Sequence, residues 1–195
     1  MKHPFWLFFS LWLCSMGAGA VDNAGLKAGV FEPPRIAPDI ALTATDGKTF
    51  SLSQNRGKVV VLEFGFTACA EVCPVSLASL AQARKLMGEK GNQVQVVFVT
   101  VDPERDTRPK LGAYLAHFDA SFVGITGTVE QMAAVRQAYG ITATKKMVEG
   151  SKTDYTVHHS SYLYFIDRQG LLRALMPFGR PAADIAHDLQ LLLKS

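Results

Sequence analysis

The stretch KVVVLEFGFTACAEVCP, residues 58–74, decides the fold of this chain. Its apolar run Val59–Leu62 has the length of a buried strand and is too short for a helix. Cys69 and Cys73 follow that run, and residues 75–87 continue with apolar side chains at helical spacing. The stretch therefore predicts a strand-to-helix junction that carries two cysteines four residues apart.

The two cysteines are placed for reactive chemistry. Unpaired amides at the start of a helix carry a partial positive charge, which favours thiolate over thiol. Thiolate is the form that attacks disulfides and binds soft metals. A four-residue step puts Cys69 and Cys73 on nearly the same helix face, which suits two sulfur ligands that hold one metal ion from one side. Two sulfurs leave most metals under-coordinated, so a third ligand is expected elsewhere in the chain.

The first twenty residues have the pattern of an export signal. Phe5–Met16 is nearly all apolar, follows Lys2 and precedes Gly17–Ala20, which is typical of a secretory signal peptide. The apolar run is short for a membrane span of about 20 residues, although an uncleaved N-terminal membrane anchor is the alternative. We expect the rest of the chain to lie outside the cytoplasm, in the periplasm, whether Met1–Ala20 is cleaved or retained as an anchor.

The composition fits one globular domain of modest charge. The chain has 195 residues, of which 48% are hydrophobic. Without Met1–Ala20 it carries 19 basic and 17 acidic side chains, a net charge of +2, and it has no lysine or arginine block. We therefore expect no nucleic-acid partner.

Cys14 lies in the leader, and a disulfide between Cys69 and Cys73 is permitted outside the cytoplasm. So small a ring would stabilise the fold little.

The rest of the chain alternates between predicted strands and helices. Residues 21–37 are rich in glycine and proline and indicate an exposed linker, followed by one domain over residues 38–195. Ile40–Leu52 predicts an N-terminal hairpin, and the polar segment Thr142–Val157 predicts an inserted hairpin outside the central sheet. Further strands are expected at Val94–Val101, Phe122–Ile125, Tyr162–Ile166 and Leu171–Leu175, and helices after Thr107, after Thr128 and over Pro181–Lys194.

This order of elements favours an α/β fold with helices on both faces of a sheet. Thr128 with Gln131 forms the sequence signature of a capping box, which fixes the start of one helix. A cysteine pair at the end of the first βα unit is the thioredoxin layout. The spacing here is C-x-x-x-C, whereas thioredoxin-type enzymes have C-x-x-C.

Four histidines outside the leader are the candidates for a third ligand. His117 and His187 fall in predicted helices with polar or acidic neighbours and are interpreted as solvated. His158 and His159 come just before the predicted strand Tyr162–Ile166. Because adjacent residues in an extended chain point to opposite sides, at most one of this pair is expected to face the cysteines.

Three motifs together resemble one family. GFTACAEVCP, VDPERDT at Val101–Thr107 and DYTVHHS at Asp154–Ser160 are similar to motifs of the Sco/SenC proteins, in the same order, and the resemblance runs from Phe31 to the C-terminus. It implies a thioredoxin-like fold, with a central mixed sheet flanked by helices, an N-terminal hairpin and an inserted hairpin. Proteins of this family bind copper and help to assemble the copper centre of cytochrome c oxidase, and some act as thiol–disulfide oxidoreductases.

The resemblance also implies a ligand set. By motif position the copper ligands are Cys69, Cys73 and His159, with the two cysteines as a redox pair, and the metal is Cu(I) or Cu(II). The implied partner is the copper-bearing subunit of cytochrome c oxidase or another copper chaperone. Two departures from the family pattern are His158, where the family has aspartate, and Ala70, where proline is common. Two thiolates and an imidazole suit Cu(I), which prefers soft ligands and few of them.

Other interpretations stay open from the sequence. The C-x-x-x-C spacing and His159 favour a metallochaperone, with a metal-independent thiol–disulfide oxidoreductase as the alternative. A thioredoxin-like peroxidase is a third interpretation, weakened because Cys69 lacks a Pro-x-x-x-Thr-x-x-Cys context. Asp102 and Asp106 follow the second strand, at the sheet end where a ligand site is expected. They either form a turn and cap a helix or support the copper ligands.

Overall fold

The structure is a computed structural model, and it describes residues 25–195. The predicted signal peptide or membrane anchor, Met1–Ala20, lies outside these residues. Within residues 25–195 no helix combines the length and the apolar character that crossing a membrane requires.

A six-stranded mixed sheet forms the centre of the fold, in the order β1-β10-β9-β4-β5-β6. Strands β4, β5 and β6 are parallel, whereas β9 runs antiparallel to β4, and β10 is antiparallel to both β9 and β1. The six strands are β1 Gly29–Ile36, β4 Val59–Gly65, β5 Val94–Thr100, β6 Val123–Ile125, β9 Tyr162–Ile166 and β10 Leu171–Pro177.

Four helices and two separate hairpins complete the described part of the chain. The helices are α1 Val72–Leu86, α2 Arg108–Ala116, α3 Val129–Ala138 and α4 Ala182–Leu192. One hairpin pairs β2 Ala41–Thr43 with β3 Thr49–Ser51, and the other pairs β7 Ala143–Met147 with β8 Tyr155–His159. Short 3-10 turns occur at Ser53–Asn55 and Gly88–Gln93. Both predicted hairpins are confirmed, and the second extends beyond its predicted end to include His158 and His159.

Apolar side chains bury both faces of the sheet. Alternate residues of β4 point to opposite faces, so Val61 and Leu62 belong to different core clusters. Side chains of α1, α2 and α4 cover one face, and α3 with the β2–β3 hairpin covers the other. All seven residues of β4 are buried. This explains the continuous apolar run that identified the strand in the sequence.

The sequence-based linker at residues 21–37 is wrong over Gly29–Ile36, which forms the edge strand β1. The strand pairs with β10 at both of its ends, and its register shifts between Val30 and Arg35, around Pro33 and Pro34. Proline lacks an amide donor and is tolerated on an edge strand or at an irregularity, where that donor is not needed. The prolines that indicated a linker therefore mark an irregular edge strand.

The capping signal that the sequence carries at Thr128 is reproduced in the structure. Thr128 accepts a hydrogen bond from the Gln131 amide, and the Gln131 side chain accepts one from the Thr128 amide, which confirms the capping box. Thr107 occupies the N-cap position of α2 and Pro109 lies in the first turn, but the Thr107 side chain makes no capping hydrogen bond.

Candidate metal centre

Cys69 and Cys73 lie together where β4 passes into α1. Cys69 is in the loop between the two elements and half-buried, while Cys73 is in the first turn of α1 and 1% exposed. Both are free thiols. The Cys73 amide donates a hydrogen bond to Cys69 Sγ over 3.4 Å. The Cys69 sulfur therefore lies at the N-terminal end of α1, where the helix favours negative charge, as the sequence predicted. The expectation that both cysteines share a helix face is wrong, because α1 begins at Val72 and Cys69 lies in the loop before it.

The two sulfurs differ in acidity. The hydrogen bond that the Cys73 thiol gives to Cys69 lowers the pKa of Cys69 far below its usual range, against the effect of burial. Hydrogen bonds from His159 and from the amides of Cys73 and Glu71 lower the pKa of Cys69 further. Donating that bond raises the pKa of Cys73, and burial adds to the rise. Cys69 is thus the accessible thiolate and Cys73 the buried thiol.

Close packing at Gly65 holds the Cys73 sulfur in the interior. A Cβ atom at Gly65 would lie 2.7 Å from Cys73 Sγ and 2.6 Å from the Phe98 ring, distances that no side chain can occupy without displacing a neighbour. The glycine is needed here because the strand backbone passes directly beneath the sulfur. Gly65 therefore contributes to the burial of Cys73, which distinguishes it from the partly exposed Cys69.

His159 is the third predicted ligand, and the structure places it beside Cys69. Its ring lies edge-to-face on Phe66, with 5.8 Å between centroids, and it hydrogen-bonds to Cys69. Nδ1 donates a hydrogen bond to the Ser160 carbonyl over 2.9 Å. A carbonyl only accepts, so Nδ1 carries a proton, and Nε2 is the ring nitrogen left to face Cys69 or, once deprotonated, to bind a metal.

His158 neighbours His159 on β8 and is exposed. It pairs across the hairpin with Thr144, while His159 pairs with Ala143. Both residues line an open groove of about 520 Å³ that also contains Cys69, Glu71 and Phe66. His158 makes no described contact with a cysteine, so it is placed at the groove without joining the sulfurs.

The three predicted ligands meet through Cys69. Its sulfur contacts both Cys73 and His159. Within residues 25–195, no three histidine, cysteine or acidic side chains are already gathered closely enough to hold a metal ion. The donor set suits a soft ion such as Cu(I), and adjustment of the side chains around Cys69 is needed for all three to bind it.

Asp106 holds the loop that leads to Cys69. Its carboxylate accepts hydrogen bonds from the Thr67 amide at 3.0 Å, the Thr67 hydroxyl at 2.6 Å and the Thr100 hydroxyl at 2.7 Å. The residue is fully buried. Of the two interpretations of Asp106, the structure favours support of the ligand loop.

Asp102 is also fully buried and joins two parts of the chain. It accepts a hydrogen bond from the Tyr155 hydroxyl at 2.8 Å and forms an ion pair with Arg105. Its backbone carbonyl accepts from the amides of Arg105 and Asp106, which closes the turn predicted from the sequence. Asp102 therefore does both, forming the turn and contacting the hairpin that carries His159.

Glu63 is a buried carboxyl that the sequence analysis did not single out. It is 4% exposed, on β4, and lines a small cavity together with Cys73 and Ser76. Burial raises the pKa of Glu63 well above its usual range, despite a hydrogen bond from Ser76. Its Oε2 atom has no hydrogen-bond partner. The sequence does mark Glu63 as unusual, because it is the one charged residue within the apolar strand β4.

The other two histidines lie apart from this groove. Nδ1 of His117 contacts the Ala113 carbonyl at 2.7 Å within α2, and Nδ1 of His187 contacts Asp188 at 2.9 Å on α4. Both side chains are exposed or partly so, in agreement with their interpretation as solvated residues.

Comparison with protein families decides the relationship. The SCO1/SenC family model matches residues 30–194. The chain belongs to the SCO1/SenC family. The three motifs that carried the resemblance in the sequence all lie inside the matched range, so the expected family membership is confirmed.

Individual relatives agree with this assignment. The SCO1/SenC chain is 35% identical over 170 residues to a Stutzerimonas stutzeri protein that is named as an inferred copper-binding protein, covering 82% of this chain and 80% of the other. It resembles Bradyrhizobium japonicum ScoI with copper bound, at 32% identity and a TM-score of 0.73, over 80% and 98% of the two chains. Apo Sco1 from Thermus thermophilus is similar at 33% identity and a TM-score of 0.74, over 85% and 95%. The expected thioredoxin-like fold is confirmed.

Proposed function

We propose that this SCO1/SenC protein binds copper through Cys69, Cys73 and His159 and transfers it during assembly of the copper centre of cytochrome c oxidase. The observation that carries the proposal is the position of the Cys69 sulfur, which contacts Cys73 and His159 on the wall of an open groove. The similarity to a Sco structure that holds copper supports it.

The site is suited to take up copper and to release it again. Cys69 is the first ligand, since its thiolate is formed and accessible. Cys73 gives up its proton as it becomes the second, and His159 offers Nε2. Three protein ligands leave a soft ion such as Cu(I) open to a fourth, so a thiolate from the partner can bind before these ligands leave. The partner is the copper-bearing oxidase subunit or another copper chaperone, met outside the cytoplasm.

A thiol–disulfide exchange activity is the second candidate, and the unequal burial of the two sulfurs favours it. The Cys69 thiolate attacks one sulfur of a partner disulfide, forms a mixed disulfide and releases the first partner thiolate. Cys73 then gives its proton to the first released thiolate and attacks the Cys69 sulfur. The Cys69–Cys73 disulfide forms as the second partner thiolate leaves. The partner is reduced by two electrons, and the Cys69–Cys73 pair is oxidised by two. The activity needs no metal, and His159 contributes to it only through Cys69.

Metal analysis of reduced and oxidised protein tests the copper proposal. The reduced protein, loaded with copper and freed of excess, is expected to retain one copper ion per chain, and the disulfide form none, because oxidation consumes both sulfur ligands. The Cys69→Ser/Cys73→Ser variant is the control for adventitious binding. Equal copper content in the reduced and disulfide forms would refute the proposal.

A further inference from the structure

The hairpin that carries His159 is separate from the central sheet. β7 and β8 pair only with each other among the described strands, while Cys69 belongs to the loop that follows the central strand β4. No sheet hydrogen bond of β8 itself fixes the distance between Cys69 and His159, although β8 is joined to the central strand β9 by a two-residue connection and buries Val157 in the core. Side-chain contacts with neighbouring segments add to this connection and set how the hairpin lies against the loop.

Arg105 supplies several of these contacts from the segment between β5 and α2, beside an ion pair between Glu104 and Lys145. Its Nη1 donates a hydrogen bond to the Tyr155 carbonyl at 2.8 Å, and its guanidinium carbon lies 3.8 Å from the centre of the Tyr155 ring. The Tyr155 hydroxyl donates to Asp102 at 2.8 Å, and Asp102 pairs with Arg105. The three residues close a ring of interactions around the first residue of β8.

The same guanidinium lies near the ring on which His159 packs. The guanidinium carbon of Arg105 is 5.8 Å from the centre of the Phe66 ring, and that ring makes the edge-to-face contact with His159. The Arg105 guanidinium therefore contacts the strand that carries His159 and also lies beside the ring on which His159 packs. A neutral or shorter side chain cannot make both contacts.

The segment also holds the opposite half of the site, since Asp106 binds Thr67 two residues before Cys69. We propose that Arg105, with Asp102 and Tyr155, is a positioning residue that fixes the β7–β8 hairpin so that His159 reaches the copper held by Cys69. This inference rests on the proposed copper function. It gives the VDPERDT motif a physical role as the common anchor of both halves of the ligand set.

Copper competition titrations on matched arginine variants test the role of Arg105. Arg105→Met keeps the length of the side chain and removes its charge and donors, and Arg108→Met makes the same change at an exposed position at the start of α2. Loss of a residue that orients a metal ligand typically weakens binding by about 10- to 100-fold. We expect a loss in this range for Arg105→Met, partial recovery for Arg105→Lys and none for Arg108→Met. Equal affinities for the two methionine variants would overturn the inference.

A double-variant comparison shows whether Arg105 acts through His159. In the His159→Ala background, Arg105→Met is expected to add no further loss of copper affinity, because the ligand that it positions is gone. The rate at which Cys69 and Cys73 exchange with a small disulfide should agree within about twofold between the His159→Ala single variant and the double variant. An unchanged penalty in the His159→Ala background would show that Arg105 affects the site by another route and would reject the positioning role.

Hydrogen exchange on metal-free protein keeps this inference separate from the copper function. Arg105→Met and the milder Tyr155→Phe are expected to speed amide exchange in β7 and β8 at least about tenfold, with the rate in β4 unchanged, whereas Arg108→Met has no effect. Parent protein that binds no copper refutes the proposed function, and the exchange data still decide whether Arg105 fixes the hairpin. Unchanged amide exchange of the hairpin in both Arg105→Met and Tyr155→Phe would refute the inference that Arg105 and Tyr155 fix the hairpin.

Discussion

Cys69 and Cys73 have the same side chain, but their surroundings lower the pKa of Cys69 and raise the pKa of Cys73. The sequence predicted the pair and its place at a helix start, because both follow from local spacing. It could not predict which sulfur is buried, since that depends on Gly65 and Phe98 packing around Cys73. The division of roles between the two thiols is therefore a property of the folded chain.

His159 and His158 provide the sharpest test of the ligand set at the residue scale. We expect His159→Ala to weaken copper retention against a competing chelator by at least about tenfold, because one of the three proposed ligands is lost. His158→Ala should change it by less than threefold, since that side chain contacts neither cysteine. Thiol exchange with a small disulfide serves as the control and should be nearly unaffected. A larger loss of copper retention in His158→Ala than in His159→Ala would show that His158, and not His159, is the imidazole ligand.

Glu63 predicts an unusual pH dependence of stability. Because burial raises its folded pKa, the folded protein keeps the Glu63 proton while the unfolded chain releases it above the usual pKa of about 4.3. Stability is therefore fully present below that pH and is lost as pH rises towards the folded pKa, by about 1.4 kcal/mol per pH unit.

The variant Glu63→Gln removes this titration. In reduced, metal-free protein we expect its melting temperature to exceed that of the parent by several degrees more at pH 8 than at pH 5, as one kcal/mol corresponds to about 2–4 °C in a chain of this size. The exposed Glu89→Gln is the control and should show no such pH-linked gain. An equal shift at both pH values would mean that Glu63 is ionised in the folded protein.

At the scale of elements, the sequence predicted what local patterns determine. The β4–α1 junction, the Thr128 capping box and both hairpins were found because spacing, capping residues and turns are local signals. The edge strand β1 was missed because its prolines resemble those of a linker. The docking of the β7–β8 hairpin was also out of reach, since its contact between Arg105 and Tyr155 joins residues fifty positions apart.

The loop before Cys69 should depend on Asp106. Asp106→Asn replaces one acceptor oxygen by a donor that faces the Thr67 amide and the hydroxyls of Thr67 and Thr100. Leaving such buried groups unsatisfied costs about 1–3 kcal/mol, and we expect urea unfolding to show a loss of this size. Asp154→Asn, at an exposed turn of the inserted hairpin, is the matched control. Indistinguishable unfolding curves for these two variants would argue against the anchoring role.

At the scale of the whole molecule, the two ends of the described chain stabilise each other. The amides of Lys27 and Ala28 donate to the carboxylate of Asp188, which is fully buried on α4. The strand β1 that follows them completes the edge of the sheet beside β10. Residues that the sequence assigned to a linker therefore contribute to the folded domain.

A shortened chain tests that contribution. We expect a chain that begins at residue 38 to unfold at least about 6–12 °C below one that begins at residue 25. The loss of β1 hydrogen bonds at about 1 kcal/mol each, and of the partners of Asp188, amounts to roughly 3 kcal/mol. The thermal unfolding of both chains, measured by circular dichroism, gives the comparison. Equal melting temperatures would restore the linker interpretation of residues 25–37.

The separate hairpin gives the bound metal a mechanical consequence. An ion held by Cys69 and His159 would join the body of the protein to the β7–β8 hairpin, and so act as a removable cross-link between segments ninety residues apart in the chain. Opening the hairpin would then require breaking a coordination bond. A protease that cuts the exposed turn around Gly150 would therefore cleave the copper-loaded protein more slowly than the metal-free protein. The ion that the protein transfers would also be the ion that cross-links its structure, and a partner that removes the ion would leave the hairpin freer to open.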